Sequence, residues 1–156
     1  MAGSIDATQE YAEITAYFQL DIDGAIISCQ EISGLAQELE VCTFRNGDRA
    51  DGFISKRSGL PKVGEITIKR GVFNSHSDFE DLMNKWHNDR AYSSNQGERF
   101  DMSVMLLDQD EAVVVQWNCV ACWPSKYEGP TLKGDESAIA FETCVMQVEE
   151  IHTEYQ

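Results

Sequence analysis

Tyr17-Phe-Gln-Leu-Asp-Ile-Asp-Gly-Ala-Ile-Ile-Ser-Cys29 settles the class of fold. Phe18, Leu20 and Ile22 alternate with Gln19 and Asp21, the two-residue period of a half-buried strand. Asp23-Gly24 follows, a pair that tolerates the positive φ angles of a tight hairpin turn. Residues 25–29 are therefore expected to return as the antiparallel partner. The same period recurs downstream. In Leu39-Glu-Val-Cys-Thr-Phe44, Leu39, Val41 and Thr43 share one face and Glu40, Cys42 and Phe44 the other. Over residues 65–70, Ile66 and Ile68 face the core while Glu65, Thr67 and Lys69 face outward. Strands are also predicted over 100–107, 112–121 and 139–149, with Asp108-Gln-Asp-Glu111 as the polar turn between the first two. Pro124, after Trp123, is expected to bend the chain and end the second strand's hydrogen bonding. In the third, Ala140, Glu142, Cys144, Met146 and Val148 alternate with an almost equally apolar opposite face. Such a strand is central to a sandwich or packs on another subunit.

The period changes once. Ser75 or Ser77 caps a helix whose first turn holds Asp78, Glu80 and Asp81, charges that suit the positive end of the helix dipole. Phe79, Leu82, Met83 and Trp86 then form one apolar stripe along about 20 Å of helix. The reading is one domain over residues 1–156, rich in β structure, with one helix covering part of the sheet.

Hydrophobic residues make up 42% of the chain and charged residues 25%, enough apolar surface for a core without disulfides or metal. Twenty-seven acidic against twelve basic residues give a net charge of −15, which disfavours tight binding to nucleic acid or anionic lipid. Every Lys and Arg lies between Arg45 and Lys133, so both ends of the chain are acidic. The start carries no basic and apolar leader, and no apolar run is long enough for a membrane span. The cytosol is the expected site of synthesis and assembly. Cys29, Cys42, Cys119, Cys122 and Cys144 are expected as buried free thiols.

Cys119-Val-Ala-Cys122 has a zinc or thiol-redox spacing, but His76, His87 and His152 supply no second ligand pair, and the motif sits in a strand instead of opening a helix. No nucleophile elbow, phosphate loop or dinucleotide fingerprint occurs. The residues point to no catalytic centre, metal or cofactor.

Residues 45–61 break the pattern. They hold Arg45, Arg49, Lys56 and Arg57, with Lys62 just beyond, in an otherwise acidic protein. Phe53 and Ile54, two adjacent large apolar residues in a polar segment, want a partner surface. As a hairpin the insert would reach about 25 Å beyond the body. It is the expected element of self-assembly; the bland alternative is a mobile surface loop.

Three blocks carry a family resemblance: Phe18-Gln-Leu-Asp-Ile-Asp-Gly24 with Glu31-Ile-Ser-Gly-Leu35; Ser58-Gly-Leu-Pro-Lys62 running into Ile66-Thr-Ile-Lys-Arg-Gly71; and Trp123-Pro-Ser-Lys-Tyr-Glu-Gly-Pro130. In this order, over roughly residues 17–150, the chain resembles the tail-tube family of contractile phages and phage-tail-like injection particles, to which the type VI secretion tube subunit is related. It departs from the family's usual wording at Ser58 and at Pro61-Lys62-Val63. The resemblance implies two packed antiparallel sheets, a flattened barrel or sandwich, with one flanking helix. It also implies a structural protein, not an enzyme: sixfold rings stacked into a tube, a sheath around it, baseplate and spike proteins at its end and cargo in its lumen. Within that frame the subunit interface is expected to use Arg45, Arg49, Phe53, Ile54, Lys56, Arg57, Leu60, Pro61 and Lys62, with Lys126, Tyr127 and Glu128. An initiator ring at the baseplate is the nearest alternative. A monomeric barrel enclosing a small molecule is another, and a jelly-roll enzyme using carboxylates with Cys119 and Cys122 as metal ligands is a third. Mass in solution separates an assembling chain from a monomer.

Overall fold

The computed structural model of the chain describes residues 14, 16–48, 50–72, 79–84, 99–135 and 137–156. The elements are β1 (Phe18–Ile22), β2 (Ala25–Ile27), β3 (Glu31–Ser33), β4 (Gln37–Phe44), β5 (Ser55–Val63), β6 (Ile66–Gly71), a helix α1 over 79–84, β7 (Phe100–Leu107), β8 (Val113–Glu128), β9 (Phe141–Gln147) and β10 (Glu150–Tyr155). Asp23 and Gly24 both have positive φ, at 52° and 85°, and close β1 onto β2 with Ile22 opposite Ala25. This is the turn that Asp-Gly pairs favour because its twist matches that of the strands.

Two antiparallel sheets enclose one core, and β8 belongs to both. Its residues 113–122 lie between β7 and β10, with β1 and β2 beyond β7. Its residues 123–128 pair with β9, followed by β6 and β3. The ends of the path, β2 and β3, do not pair, so the sandwich stays open and is not a closed barrel. Leu20, Ile22, Met102, Val104, Cys119 and Ile151 from the first sheet meet Ile66, Ile68, Cys144 and Met146 from the second. Phe79 of α1 is buried among them, with Leu82 and Met83 packed at the margin. The alternation of β6 and β9 is as the sequence predicts, with Ile66 and Ile68 inward and Glu142, Cys144 and Met146 inward. Ser75, Ser77 and Trp86, assigned to the helix and its cap, lie outside the described residues, as do His76 and His87.

Pro124 does not end its strand. β8 runs sixteen residues through it and changes neighbours there. At residues 123–128 β9 is the neighbour, with Pro124 opposite Met146 and a bulge just beyond it, and among the described residues the other side of this segment is an edge, where proline is tolerated. The change of sheet is made just before. Between Cys119 and Cys122, β8 carries one residue more than β7 does between Met102 and Phe100. The bulge puts Ala121 at φ 55°, and the Asp101 carboxylate accepts a hydrogen bond from its backbone N–H at 3.2 Å. Residues three apart in a regular strand face opposite sides; the bulge turns Cys119 and Cys122 both inward. Their thiols share a hydrogen bond that pushes Cys122 up and holds Cys119 down. Replacing Ala121 by glycine removes a left-handed side chain that costs 1–2 kcal/mol and adds freedom to the unfolded chain. A net gain of about 0.5–1 kcal/mol, or about 2 °C in Tm, is expected in thermal denaturation.

Cys42 is exposed and Cys29 half-buried, contrary to the expectation of five buried thiols. Cys42 stands on an arm that leaves the body. β10 was not foreseen; it pairs with β8 from Glu150 opposite Val120 to Tyr155 opposite Val115. Glu150 and His152 therefore lie on a strand, where the His152 ring and the Glu150 carboxylate are 3.1 Å apart.

Candidate assembly surface

β4 and β5 pair with each other as a separate two-stranded ribbon. All eight residues of β4 are exposed, and on β5 only Gly59 and Val63 are partly covered. The insert therefore has a longer first arm than its sequence suggested. Residues 37–44 read as a body strand because they alternate, yet among the described residues no layer covers either face. Residues 45–54 are the tip, and Ser55–Val63 is the returning arm. At about 3.4 Å per residue the ribbon is roughly 27 Å long.

Its root is tied down tightly. Gly34, at φ 88°, lies so close to Glu65 that a Cβ there would sit 1.9 Å from the Glu65 carbonyl oxygen. The Ala36 N–H donates to the Gly34 carbonyl at 2.7 Å, and the Gly64 N–H to the Ala36 carbonyl at 3.2 Å. The Gln37 side chain donates to the Ile151 carbonyl on β10. Leu35 and Val63 pack on the margin of the core.

The pairing register separates two faces. Leu39 opposite Pro61, Val41 opposite Ser58 and Thr43 opposite Lys56 make one. Glu38 opposite Lys62, Cys42 opposite Arg57 and Phe44 opposite Ser55 make the other, where Lys62 and Glu40 approach to 3.8 Å. That pair is solvated on both sides and adds little stability. Phe53 is 69% exposed and Leu60 73%. The Asp51 carboxylate accepts from the Phe53 N–H at 3.2 Å, an Asx turn that presents Phe53 and Ile54 outward. A lone two-stranded ribbon with both faces in water is marginal on its own.

Lys126, Tyr127 and Glu128 lie elsewhere, on the edge of the second sheet opposite Val145, Cys144 and Thr143. The chain does not bring them to the hairpin. Lys126 and Glu128 pair with each other at 3.6 Å in solvent. Tyr127 reaches inward to a cluster the sequence reading did not single out. Its O–H donates to the Glu142 carboxylate at 2.6 Å, and the other Glu142 oxygen lies 3.0 Å from Arg70 Nε. The Arg70 and Glu142 side chains are only 4% and 9% exposed, and the guanidinium stacks 4.7 Å from the centre of the Phe79 ring. The hydrogen bond to Glu142, then burial and the Glu142 charge, push the Tyr127 hydroxyl up to about 12 against the opposing Arg70. A phenol whose folded pKa is raised stabilises the fold in full below about pH 10 and loses that contribution as pH climbs toward 12. Beside this cluster a cleft of about 480 Å³ opens between α1 and the second sheet, lined by Val72, Phe79, Met83, Pro124, Tyr127 and Pro130 among others.

Arg45, Phe53, Ile54, Lys56, Arg57, Leu60, Pro61 and Lys62 are all exposed on the ribbon or its tip. Arg49 lies outside the described residues. Among the described residues no group of three or more His, Cys, Asp and Glu side chains is placed to hold a metal ion, and no helix is long and apolar enough to cross a membrane.

The described residues thus form an open antiparallel sandwich from which a ribbon of exposed apolar side chains projects. The chain belongs to the T4-like virus tail tube protein gp19 family, whose model matches residues 14–152. No curated protein sequence matches the chain. Among solved structures, the chain resembles one from the anti-feeding prophage cap, described as the tube-terminating cap, at 21% identity and a TM-score of 0.83, covering 99% of this chain and 100% of that one. It also resembles a chain from the sheath–tube complex of the PVC extracellular contractile injection system in its extended state, at 19% identity and a TM-score of 0.82, with both chains fully covered. Hcp1 from Flavobacterium johnsoniae shares the fold more distantly, at 18% identity and a TM-score of 0.53, over 89% of this chain and 95% of that one.

Proposed function

We propose that this tail tube protein is a structural subunit of the inner tube of a contractile injection particle, forming sixfold rings that stack into a hollow conduit for cargo. The projecting ribbon carries this reading: Phe53, Ile54 and Leu60 stand in water on an element with no use in the monomer. Stacking is head-to-tail, so it does not close on itself and grows into a tube. Among the described residues β2 and β10 are the two edge strands of the first sheet, and joining such edges between neighbours in a ring removes unpaired backbone groups.

Charge segregation supports an orientation for the sheets. None of the five first-sheet strand segments, namely β1, β2, β7, residues 113–122 of β8 and β10, contains Lys or Arg. Their outward side chains include Asp101, Glu150 and Glu154, with Ser103 and Gln116 each donating a hydrogen bond to the Asn118 side-chain oxygen at 3.0 and 2.7 Å. We assign this face to the lumen, where a hydrated, anionic wall lets cargo pass without adhering. The cations of the described strands, Lys56, Arg57, Lys62, Lys69, Arg70 and Lys126, lie on the hairpin and the second sheet. The partners of this reading are copies of the chain, a surrounding sheath, and baseplate and spike proteins at the tube's end, with assembly in the cytoplasm.

End-on electron micrographs of the purified protein test it: sixfold rings or tubes are expected, and a monomer at every concentration would overturn it. The double variant Phe53→Ser, Ile54→Ser is expected to keep its fold, because both side chains are exposed, and to need more than tenfold higher concentration to form tubes. Each large apolar side chain buried in a contact is worth about 2 kcal/mol. Sedimentation across a concentration series reads the shift.

A further inference from the structure

We infer that Cys144, Met146 and Met83 form a binding site for a soft monovalent metal ion, Cu(I), with Ag(I) as its chemical analogue. The site goes beyond the assembly reading above and does not rest on it. Cys144 and Met146 stand two residues apart on β9, so both face inward, and both are almost wholly buried. β9 is held between β6 and β8, with Cys144 opposite Ile68 and Tyr127 and Met146 opposite Ile66 and Pro124. Met83 comes from α1, about one turn beyond the buried Phe79, and packs on the margin of the same core. The Cys144 Sγ lies 3.5 Å from the Met146 Sδ and 3.9 Å from the Met83 Sδ. One thiol and two thioethers therefore converge from two rigid elements.

That spacing suits a metal ion. A first-row metal–sulfur bond is about 2.3 Å long, so three sulfurs in a plane around one ion stand about 4.0 Å apart. Both separations are within about 0.5 Å of this, and the unbranched methionine side chains supply the adjustment. The donors choose the ion. Thioether sulfur is a poor ligand for hard cations, whereas thiolate with thioether selects Cu(I). Charge points the same way. On binding, the thiol proton leaves to solvent, and one thiolate with one monovalent ion makes a neutral buried unit; a divalent ion would leave a net charge in the core. Burial, then the Glu142 charge, push Cys144 up to about 12, so at neutral pH its thiolate forms only with a cation to neutralise it. The cluster also lies next to an opening. Met83 is part of the wall of the cleft beside α1, and two other wall residues, Pro124 and Tyr127, are the cross-strand partners of Met146 and Cys144.

The test titrates the reduced full-length protein with Cu(I), free of oxygen, against bicinchoninate as competitor. One bound ion per chain is expected, with three sulfur neighbours at about 2.3 Å by X-ray absorption. At free Cu(I) about one hundred times the dissociation constant, Tm is expected to rise by about 5–10 °C. Met83→Leu nearly conserves volume at a half-buried position, so it is expected to fold like the parent and to bind at least tenfold more weakly. Cys144→Ser is expected to abolish binding, and Cys42→Ser, which removes the exposed thiol, to leave it unchanged. Should Cys144→Ser fail to fold, the affinity of Met83→Leu decides alone. No ion held against the competitor, parental affinity in Met83→Leu, or a two-sulfur shell that survives Cys144→Ser and so marks Cys119 and Cys122 as the ligands would each overturn the inference.

Discussion

Gly34→Ala is expected to cost roughly 4 kcal/mol or more and, on the assembly proposed above, to abolish ring and tube formation. Gly34 sits at φ 88°, which alone costs an alanine 1–2 kcal/mol. The added Cβ would also meet the Glu65 carbonyl oxygen at 1.9 Å, its carbon at 3.1 Å and the Ile66 Cα at 3.4 Å. These are backbone atoms at the start of a core strand, so no side chain can swing away to relieve the contact. The strand Ile66–Gly71 supplies Ile66 and Ile68 to the core, and shifting it opens the sandwich as well as moving the ribbon's root. Gly47→Ala, with nothing within 4 Å of its Cβ, is the matched control and should stay within about 0.5 kcal/mol of the parent. Urea unfolding of the two variants checks this; a Gly34→Ala protein within 1 kcal/mol of the parent would show that the root is more pliable than its contacts imply.

The second large effect is expected at Arg70. Arg70→Met leaves the Glu142 carboxylate buried beside Phe79 without its cation, and losing one member of a buried ion pair costs about 3–5 kcal/mol. The pair itself contributes far less than this, since both charges were desolvated to make it. Arg70→Met with Glu142→Leu is therefore expected to recover most of the loss, although Tyr127 then lacks its acceptor. Tyr127→Phe alone removes one charge-assisted hydrogen bond from a half-exposed hydroxyl and should cost about 1 kcal/mol. A double-mutant cycle in denaturant unfolding separates these terms. Equal losses in the single and double variants would mean that packing against Phe79, and not charge, is what Arg70 provides.

Much of the sandwich is legible in the chain because a strand between water and core writes its position as alternation. For that reason the strands expected over 17–22, 65–70 and 139–149 are found, at Phe18–Ile22, Ile66–Gly71 and Phe141–Gln147, and Asp23-Gly24 marked the first pairing. The same signal misled at Gln37–Phe44. Alternation tells which side chains share a face; it does not tell whether anything covers that face, and here both faces are in water. β10 escaped notice because its one buried residue, Ile151, stands among Glu150, His152 and Glu154. The switch of β8 between sheets turns on Ala121, an alanine in a conformation where glycine would have given warning.

Of the candidate surface, Phe53 and Ile54 were visible as apolar residues out of place. The Arg70–Glu142 pair was half visible: Arg70 has the core-side parity of Ile66 and Ile68, and Glu142 that of Cys144 and Met146. What joined them was the β6–β9 register, a long-range choice that no local pattern records. The cleft was invisible for the same reason, since its walls come from four separated stretches of chain.

The sharing of β8 bears on how the molecule comes apart. A sandwich of two independent sheets can lose one layer while the other persists. Here one unbroken backbone supplies a strand to each layer, so fraying one pulls on the register of the other. The two layers are thereby coupled, and a pull along the chain passes from layer to layer through peptide bonds instead of through side-chain contacts alone.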